Sequence, residues 1–231
     1  MSQTEELLLQ GQILREQGKT FEALDYLNKA LEAFAKEKNY ARFAHALLDR
    51  AICWQHLYQF NNNDPGFAVL YKKDAEAMLE VLENNHIKEE LSGAYFINAR
   101  AASLFGDFGK AIKFFKKALE LLPSSMAAQR GDWQTNLGKS LYFAGEKERG
   151  LNEIMVGIEQ IKNHLAEVGD YAGKVWLSGG YMRLAEVLLK DDRTRSREYL
   201  KMAKGIVASD KKFMVRQKQI SNFEQTGKSG L

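Results

Sequence analysis

Residues 95–123 read YFINARAASLFGDFGKAIKFFKKALELLP, and this stretch decides the fold of the chain. Apolar side chains recur at helical spacing on both sides of a short turn, residues 106–109, which holds two glycines. Small residues occupy the positions where two such helices must touch, namely Ala99, Ala111 and Ala118. The final proline ends the second helix, because its ring and missing N–H interrupt a helix. The stretch therefore predicts a closely packed hairpin of two helices.

The spacing of these small residues recurs elsewhere in the chain. Three segments keep steps of twelve and then seven residues between small side chains. They are Gly11, Ala23 and Ala30; Ala99, Ala111 and Ala118; and Gly138, Gly150 and Gly157. Helices that cross closely leave no room for large side chains at the crossing point. The spacing therefore predicts three copies of one helical hairpin, the first of them over about residues 4–38.

A second hairpin is in phase with the first but departs from it at the turn. Ala51 lies forty residues after Gly11, so the first helix of this hairpin keeps the repeat. The short turn is replaced by residues 61–66, NNNDPG, before an amphipathic helix. This hairpin is either elongated or carries an insertion.

The fifth hairpin is the most degenerate. We expect a long helix over about residues 171–189, a charged turn, and a second helix over 196–207. Either Leu184 or Ala185 takes its small-residue position, so the sequence leaves the phase open.

The hairpin at 95–123 resembles a tetratricopeptide repeat (TPR), whose period is about 34 residues with small, aromatic and proline positions in this order. The longer joints at 36–44 and 167–173 resemble those of the longer TPR variety of kinesin light chain-like proteins and bacterial regulators. The resemblance covers about residues 4–208. It implies an all-α fold, a right-handed α-α superhelix (a TPR-like solenoid) of about five helical hairpins, as a first domain over 1–208.

The remaining residues, 209–231, are predicted to form a C-terminal capping helix and a frayed tail. Residues 210–225 are basic and weakly apolar, and a terminal repeat needs a polar cover to stay soluble.

Composition restricts the class of protein. The chain has 231 residues, 45% of them hydrophobic, and two prolines, which suits long helices. Its net charge of +3 does not imply nucleic acid, although residues 190–218 hold ten Lys/Arg against four Asp/Glu, a net charge of +6.

The N-terminus lacks the features of a signal peptide, and no apolar run is long enough to span a bilayer. We therefore expect a soluble, cytoplasmic protein without a membrane partner.

Motifs that suggest chemistry are incomplete. The GKS triplets at 138–140 and 227–229 lack the glycine that a phosphate-binding loop needs five residues earlier. The four histidines form no i, i+4 pair, and Cys53 is the single cysteine, which argues against zinc and against a disulfide. Cys53 lies in an apolar run and is predicted to be a buried, inert thiol. We expect no enzyme activity and no cofactor.

The resemblance also implies where a partner binds, because the first helix of each hairpin lines the concave surface of a TPR solenoid. The residues projected onto that surface are Gln12, Asp49, His56, Arg100, Asn136, Lys139 and Tyr142. Arg100 and Lys139 could attract an acidic peptide, and Tyr142 could supply an aromatic anchor. The alternative is an ordinary solvated face.

Apolar residues are projected onto the same surface, namely Leu8, Leu9, Phe96 and Ile97. The clamp with which one TPR subclass holds a C-terminal carboxylate is missing, because Leu8, Gln12, Gly93 and Ile97 occupy the matching positions. We therefore expect no binding of chaperone tails of that kind.

These observations predict a non-enzymatic scaffold that binds a peptide or protein partner. Two alternatives stay open: a regulatory or sensor module whose curvature responds to a ligand, and nucleic-acid binding through residues 190–218. Tyr199 and Phe213 are the only aromatic residues in that segment, which argues against nucleic acid. Self-association through an open terminal repeat is also left open.

Overall fold

The computed structural model describes residues 1–208 and 210–227, and helices make up nearly all of this part of the chain. It contains eleven α-helices and no strand over those residues. Their bounds are α1 Gln3–Glu16, α2 Thr20–Lys36, α3 Tyr40–Phe60, α4 Pro65–Asn84, α5 Leu91–Leu104, α6 Phe108–Leu121, α7 Ala127–Phe143, α8 Lys147–Asn163, α9 Gly169–Leu188, α10 Arg193–Val207 and α11 Met214–Thr226. Short 3₁₀ turns precede α9 and α11. The predicted plan of five hairpins, α1 to α10, followed by a C-terminal helix is confirmed.

The chain divides into an N-terminal unit, residues 1–101, and a C-terminal unit, residues 102–231, with the boundary inside α5. In the N-terminal unit α1 packs on α2, α2 on α3, and α3 on α4. In the C-terminal unit α7 packs on α6, α8 and α9, and α9 packs on α10. Within each unit these pairs of sequence neighbours are therefore neighbours in space, as in a repeat protein.

Glycine turns end the first helix of three hairpins. Gly18, Gly106 and Gly145 adopt positive φ angles of 71°, 77° and 101°, the left-handed conformation that glycine tolerates best. Each lies seven residues after the small residue of its first helix, Gly11, Ala99 or Gly138. The repeat therefore fixes the length of the first helix as well as its contact point.

The small residues of the fourth hairpin do bring two helices together. A Cβ atom on Gly138 would lie 2.6 Å from the carbonyl oxygen of Gly150, and one on Gly157 would lie 2.5 Å from that of Gly131. Backbone oxygens cannot yield as side chains do, so α7 and α8 approach more closely than any larger residue would allow. Gly131 was not part of the predicted pattern, although it lies seven residues before Gly138.

That additional position is buried in every hairpin. It lies seven residues before the small residue of the first helix and is always occupied by a small side chain or a threonine: Thr4, Ala44, Ser92, Gly131 and Ser178. Two antiparallel helices that cross closely therefore touch at two positions along each helix, one on each side of the crossing point.

The structure settles the register of the fifth hairpin. The hydroxyl of Ser196 on α10 donates a hydrogen bond of 2.6 Å to the carbonyl oxygen of Ala185 on α9. Ala185 and Ser196 are both buried, as are Ser178 and Ala203 one level away. Ala185 therefore occupies the small-residue position, and Leu184 does not.

The second hairpin is elongated through its helices. α3 has 21 residues and α4 has 20, and only residues 61–64 connect them. Asn62 and Asn63 adopt positive φ angles of 54° and 56°, and the side chain of Asp64 accepts a hydrogen bond of 2.8 Å from the N–H of Gly66. The NNNDPG segment is therefore a tight turn and a helix cap, which its asparagines and proline suit.

The last helix, α11, packs on the fifth hairpin. Ile220 and Phe223 of α11, together with Phe213, join a buried cluster with Met182 of α9 and Val207 of α10. Arg216 of α11 donates a hydrogen bond of 3.0 Å to the carbonyl oxygen of Val175. The predicted frayed tail, residues 227–231, lies outside the described residues apart from Gly227, and the two-domain division stays a prediction.

Candidate protein-interaction site on the first helices

All seven predicted site residues lie on the first helix of a hairpin: Gln12 on α1, Asp49 and His56 on α3, Arg100 on α5, and Asn136, Lys139 and Tyr142 on α7. Their surroundings differ, however, because neighbouring first helices lie close enough to cover several of them. The N-terminal unit shows this first, where α1 and α3 share a polar layer.

Asp49 is the centre of this layer. Its buried carboxylate accepts a hydrogen bond of 2.7 Å from Nε2 of Gln12 and pairs with the guanidinium of Arg15 on α1. Nε2 of His45 lies 3.7 Å from the same carboxylate. Burial alone would lower the pKa of Arg15, but the facing Asp49 and Glu16 carboxylates raise it above its usual value. Asp49 and Gln12 therefore join α1 to α3.

His56 lies further along α3 and is buried as well. Its ring centroid is 6.0 Å from that of Phe60, one helical turn later, with the ring planes 35° apart. This contact places the imidazole against apolar surface.

Arg100 differs from the other predicted residues of the N-terminal unit. Its side chain is partly exposed, and its guanidinium lies 5.8 Å from the centroid of the Phe96 ring. It makes no ion pair with a described carboxylate, and its Nε donates no hydrogen bond to a described residue. Among the seven, Arg100 is the cation that the fold leaves unneutralised.

In the C-terminal unit a second polar layer joins α7 to α9. Asp132 pairs with Arg183 at 3.1 Å, and the same guanidinium donates a hydrogen bond of 2.9 Å to Oγ1 of Thr135. Two turns along, Nζ of Lys139 lies 2.8 Å from Oε2 of Glu186. Lys139 is therefore engaged with α9.

Tyr142 continues this layer at the end of α7. Its hydroxyl donates a hydrogen bond to Asp191, which also accepts one of 2.6 Å from Lys147. Burial raises the pKa of Tyr142 to about 12, and the hydrogen bond to Asp191 adds to this. The phenol ring packs in an apolar cluster with Ile154 and Leu184. Asn136, by contrast, is buried within α7 and donates to the carbonyl oxygen of Asp132 at 2.9 Å.

Sequence reasoning missed the partners that cover these residues. They are Arg15, Glu186 and Asp191, while Arg183 binds the neighbouring Asp132 and Thr135. Arg183 and Glu186 belong to the fifth hairpin, whose register the sequence left open. Arg15 lies three residues after Gln12 on α1, and this spacing puts both on one helix face, so it could have been found.

The projected apolar residues are divided in the same way. Leu8 and Ile97 are buried in the core, whereas Leu9 remains 42% exposed. Ile13, one helical turn after Leu9 and not part of the predicted set, is 41% exposed. In the first hairpin, therefore, α1 presents two large apolar side chains to solvent.

Over residues 1–208 and 210–227 no three His, Cys, Asp or Glu side chains are grouped as metal ligands would be. Nor is any of these helices both long and apolar enough to cross a bilayer.

Comparison with known proteins agrees with this architecture. The tetratricopeptide repeat family model matches residues 92–124, the third hairpin. The fold is similar to the nearly identical TPR-like repeats of a Podosopora anserina protein assigned as a kinesin light chain, in the original and in a Q17M form. The Q17M form is 13% identical with a TM-score of 0.57, covering 90% of this chain and 97% of that one. The other form is 14% identical with a TM-score of 0.56, covering 90% and 98%.

BtubC (BKLC) from P. vanneervenii is 15% identical with a TM-score of 0.50, covering 90% of this chain and 92% of that one. No curated protein matches the sequence. The class defined by the fold is the all-α, TPR-like solenoid, as predicted. The match of residues 92–124 to the tetratricopeptide repeat model, and the similarity of the fold to kinesin light chain-like TPR structures, confirm the resemblance.

Proposed function

We propose that this chain is a non-enzymatic scaffold that binds a protein or peptide partner through the exposed parts of its first helices. The fold supports the general class, because TPR-like repeats are protein-interaction scaffolds. The finer proposal concerns which residues touch the partner.

The observation that carries this proposal is the state of Arg100. It is a cation on a first helix, partly exposed, held over the Phe96 ring, and without a carboxylate partner among the described residues. A guanidinium in that state can donate two parallel hydrogen bonds to a partner's carboxylate. The proposal therefore includes an acidic group on the partner.

Leu9 and Ile13 support an apolar component of the same partner. They lie four residues apart on α1, so their side chains are neighbours on one helix face. Exposed apolar side chains that adjoin one another mark interaction sites more often than scattered ones. An amphipathic helix could cover them with its own apolar side chains.

The buried members of the predicted set have another part in the proposal. Asp49, Lys139 and Tyr142 pair with residues of the same unit and position neighbouring helices. His56 and Asn136 are buried too. In the proposal Arg100 touches the partner, as does the part of Gln12 that stays exposed beside Asp49; both belong to the N-terminal unit. The other five maintain the helix packing of the unit to which each belongs.

The test is affinity capture with the intact chain, followed by quantitative mass spectrometry of the bound proteins. We expect Arg100→Glu to reduce a specific partner about tenfold, since one attraction becomes a repulsion in a partly desolvated contact. The matched control is Lys116→Glu, which makes the same charge change at an exposed position of α6. Circular dichroism melts establish that both variants fold.

A capture profile that both variants leave unchanged would refute the role of Arg100. A double Leu9→Ser/Ile13→Ser variant that keeps the partner would refute the apolar contact.

A further inference from the structure

A row of basic side chains runs along one face of α10. Arg193, Arg197 and Lys201 are all exposed and lie four residues apart. At 1.5 Å per residue the row is about 12 Å long, and the spacing keeps its members on nearly the same side of the helix. We refer to these three residues as the α10 basic row.

The fold does not neutralise this row. No described carboxylate forms an ion pair with Arg193, Arg197 or Lys201. The acids at the start of α10 are engaged otherwise: Asp191 binds Lys147 and Tyr142, and Asp192 caps the helix by accepting a hydrogen bond of 3.0 Å from the N–H of Arg195.

Another second helix of the same unit shows how such cations are usually balanced. On α8 and just before it, Arg149 pairs with Glu146 at 2.8 Å and Lys162 pairs with Glu159 at 3.4 Å. Ion pairs three residues apart on a helix form without any contact from another part of the chain. α10 has no such ion pair along the basic row: even Glu198, three residues before Lys201, is exposed and forms no ion pair with it. The row therefore holds charge that no described ion pair compensates.

The opposite face of α10 limits what the row can bind. Ser196, Ala203 and Val207 are buried against the rest of the fifth hairpin and α11. A helix that binds a membrane surface must insert its apolar face, and α10 has none free for insertion.

The aromatic residues near the row are occupied as well. Tyr199 stacks on Tyr181 with the ring centroids 6.1 Å apart, and Phe213 stacks on Tyr171 at 5.3 Å. Single-stranded nucleic acid is held largely by bases stacked on exposed rings, and these rings already have partners.

We propose that the α10 basic row docks an acidic segment of a protein partner, one that presents carboxylates about one helical turn apart. The partner would match the row in charge and in spacing. A helix with Glu or Asp at i, i+4 and i+8 presents three carboxylates over about 12 Å, because an α-helix rises about 1.5 Å per residue. This surface lies on a second helix, so it is separate from the first-helix site and does not depend on the function proposed there.

The experiment measures fluorescence anisotropy of a labelled, alanine-based helical peptide with glutamates at i, i+4 and i+8. A peptide with glutamines at those positions is the reference probe. We expect the intact chain to bind the glutamate peptide at low salt, and to bind it less as salt shortens the range of the attraction. The glutamine peptide should not bind.

Two charge-reversed double variants decide whether the row is responsible. Arg197→Glu/Lys201→Glu should weaken binding at least about tenfold, because each exposed attraction becomes a repulsion. Lys113→Glu/Lys116→Glu makes the same total charge change on α6, where both lysines are exposed, and should change binding less than about twofold. Arg100→Glu should leave this binding unaltered, which separates the two proposals.

Three outcomes overturn the proposal. The first is no binding of the glutamate peptide at low salt. The second is an equal loss in both double variants, which would show attraction to net charge alone. The third is tighter binding of duplex DNA that depends on Arg197 and Lys201, which would make the row a phosphate-binding surface.

Discussion

The ammonium of Lys139 lies 2.8 Å from Oε2 of Glu186, and the two side chains are only 11% and 12% exposed. A residue that the sequence projected onto a binding face thus forms a largely buried ion pair between α7 and α9. Removing one member of such a pair leaves the other charge buried without compensation.

We therefore expect Lys139→Met to lower the free energy of unfolding by about 3 kcal/mol. Lys139→Met/Glu186→Met should recover most of this loss, because it leaves no unpaired charge and adds apolar contacts. Urea denaturation followed by circular dichroism measures both values. A single variant as stable as the wild type would mean that the pair contributes nothing.

Gly150 tests the close approach of α7 and α8. A Cβ atom at this position would lie 2.6 Å from the carbonyl oxygen of Gly138 and 2.6 Å from the backbone nitrogen of Tyr142. Gly150→Ala should cost at least about 2 kcal/mol of stability, since backbone atoms must move apart.

Gly205 on α10 provides the matched control, because a Cβ atom there meets nothing within 4 Å. Gly205→Ala should stabilise the protein by about 0.5 kcal/mol through the better helix propensity of alanine. Thermal melts of the two variants should therefore shift in opposite directions. A shift in the same direction would contradict the packing argument.

Cys53 is fully buried, and its reactivity should follow from that. Burial raises the pKa of the Cys53 thiol to about 12; nearby Arg15 opposes the rise, and Asp49 adds to it. The reactive thiolate is therefore scarce at about pH 8, and the sulfur is also shielded.

Iodoacetamide should leave the native chain unmodified at that pH and alkylate it once guanidinium chloride unfolds it. Raising the pH while the chain remains folded should accelerate alkylation far less than it does for a free thiol of ordinary pKa. Intact-mass spectrometry reads out both experiments, and rapid stoichiometric labelling of the native chain would contradict this account.

Ile220 tests the covering role of α11. It is buried among Met182, Ala203 and Val207, so Ile220→Asp would place a carboxylate in an apolar cluster. We expect a loss of about 3 kcal/mol or more, with exposure of apolar surface that promotes self-association.

Met214 begins the same helix and is exposed, so Met214→Asp should be nearly neutral. Size-exclusion chromatography and thermal melting distinguish the two variants. If Ile220→Asp stays monomeric and as stable as the Met214 variant, α11 does not serve as a cap.

Much of the fold followed from local rules. The steps of twelve and then seven residues that begin at Gly11 and Gly138 correctly marked where two helices touch, because a close contact requires a small side chain at single positions. The sequence showed that the second hairpin departs from the repeat but left open whether it is elongated or carries an insertion, since its turn residues fit a loop or a tight turn equally well. The structure shows that both its helices are longer.

The candidate site was predictable only in part. A helical projection states which side of a helix a residue faces, and it correctly placed all seven residues on first helices. It does not state how closely the next hairpin covers that side. Asp49 and Arg15 are 34 residues apart, and Tyr142 and Asp191 are 49 apart.

The sequence by itself thus determined that this protein consists of helical hairpins, and where the two helices touch in three of them. Only the tertiary structure decided which polar side chains on the first helices are used for packing and which remain available. The physical reason is that a charge stays accessible only when no partner of opposite sign is brought to it. Whether a partner is brought near depends on how close the next hairpin lies. Lys139 lies beside Glu186 of the next hairpin, whereas no described carboxylate pairs with Arg100.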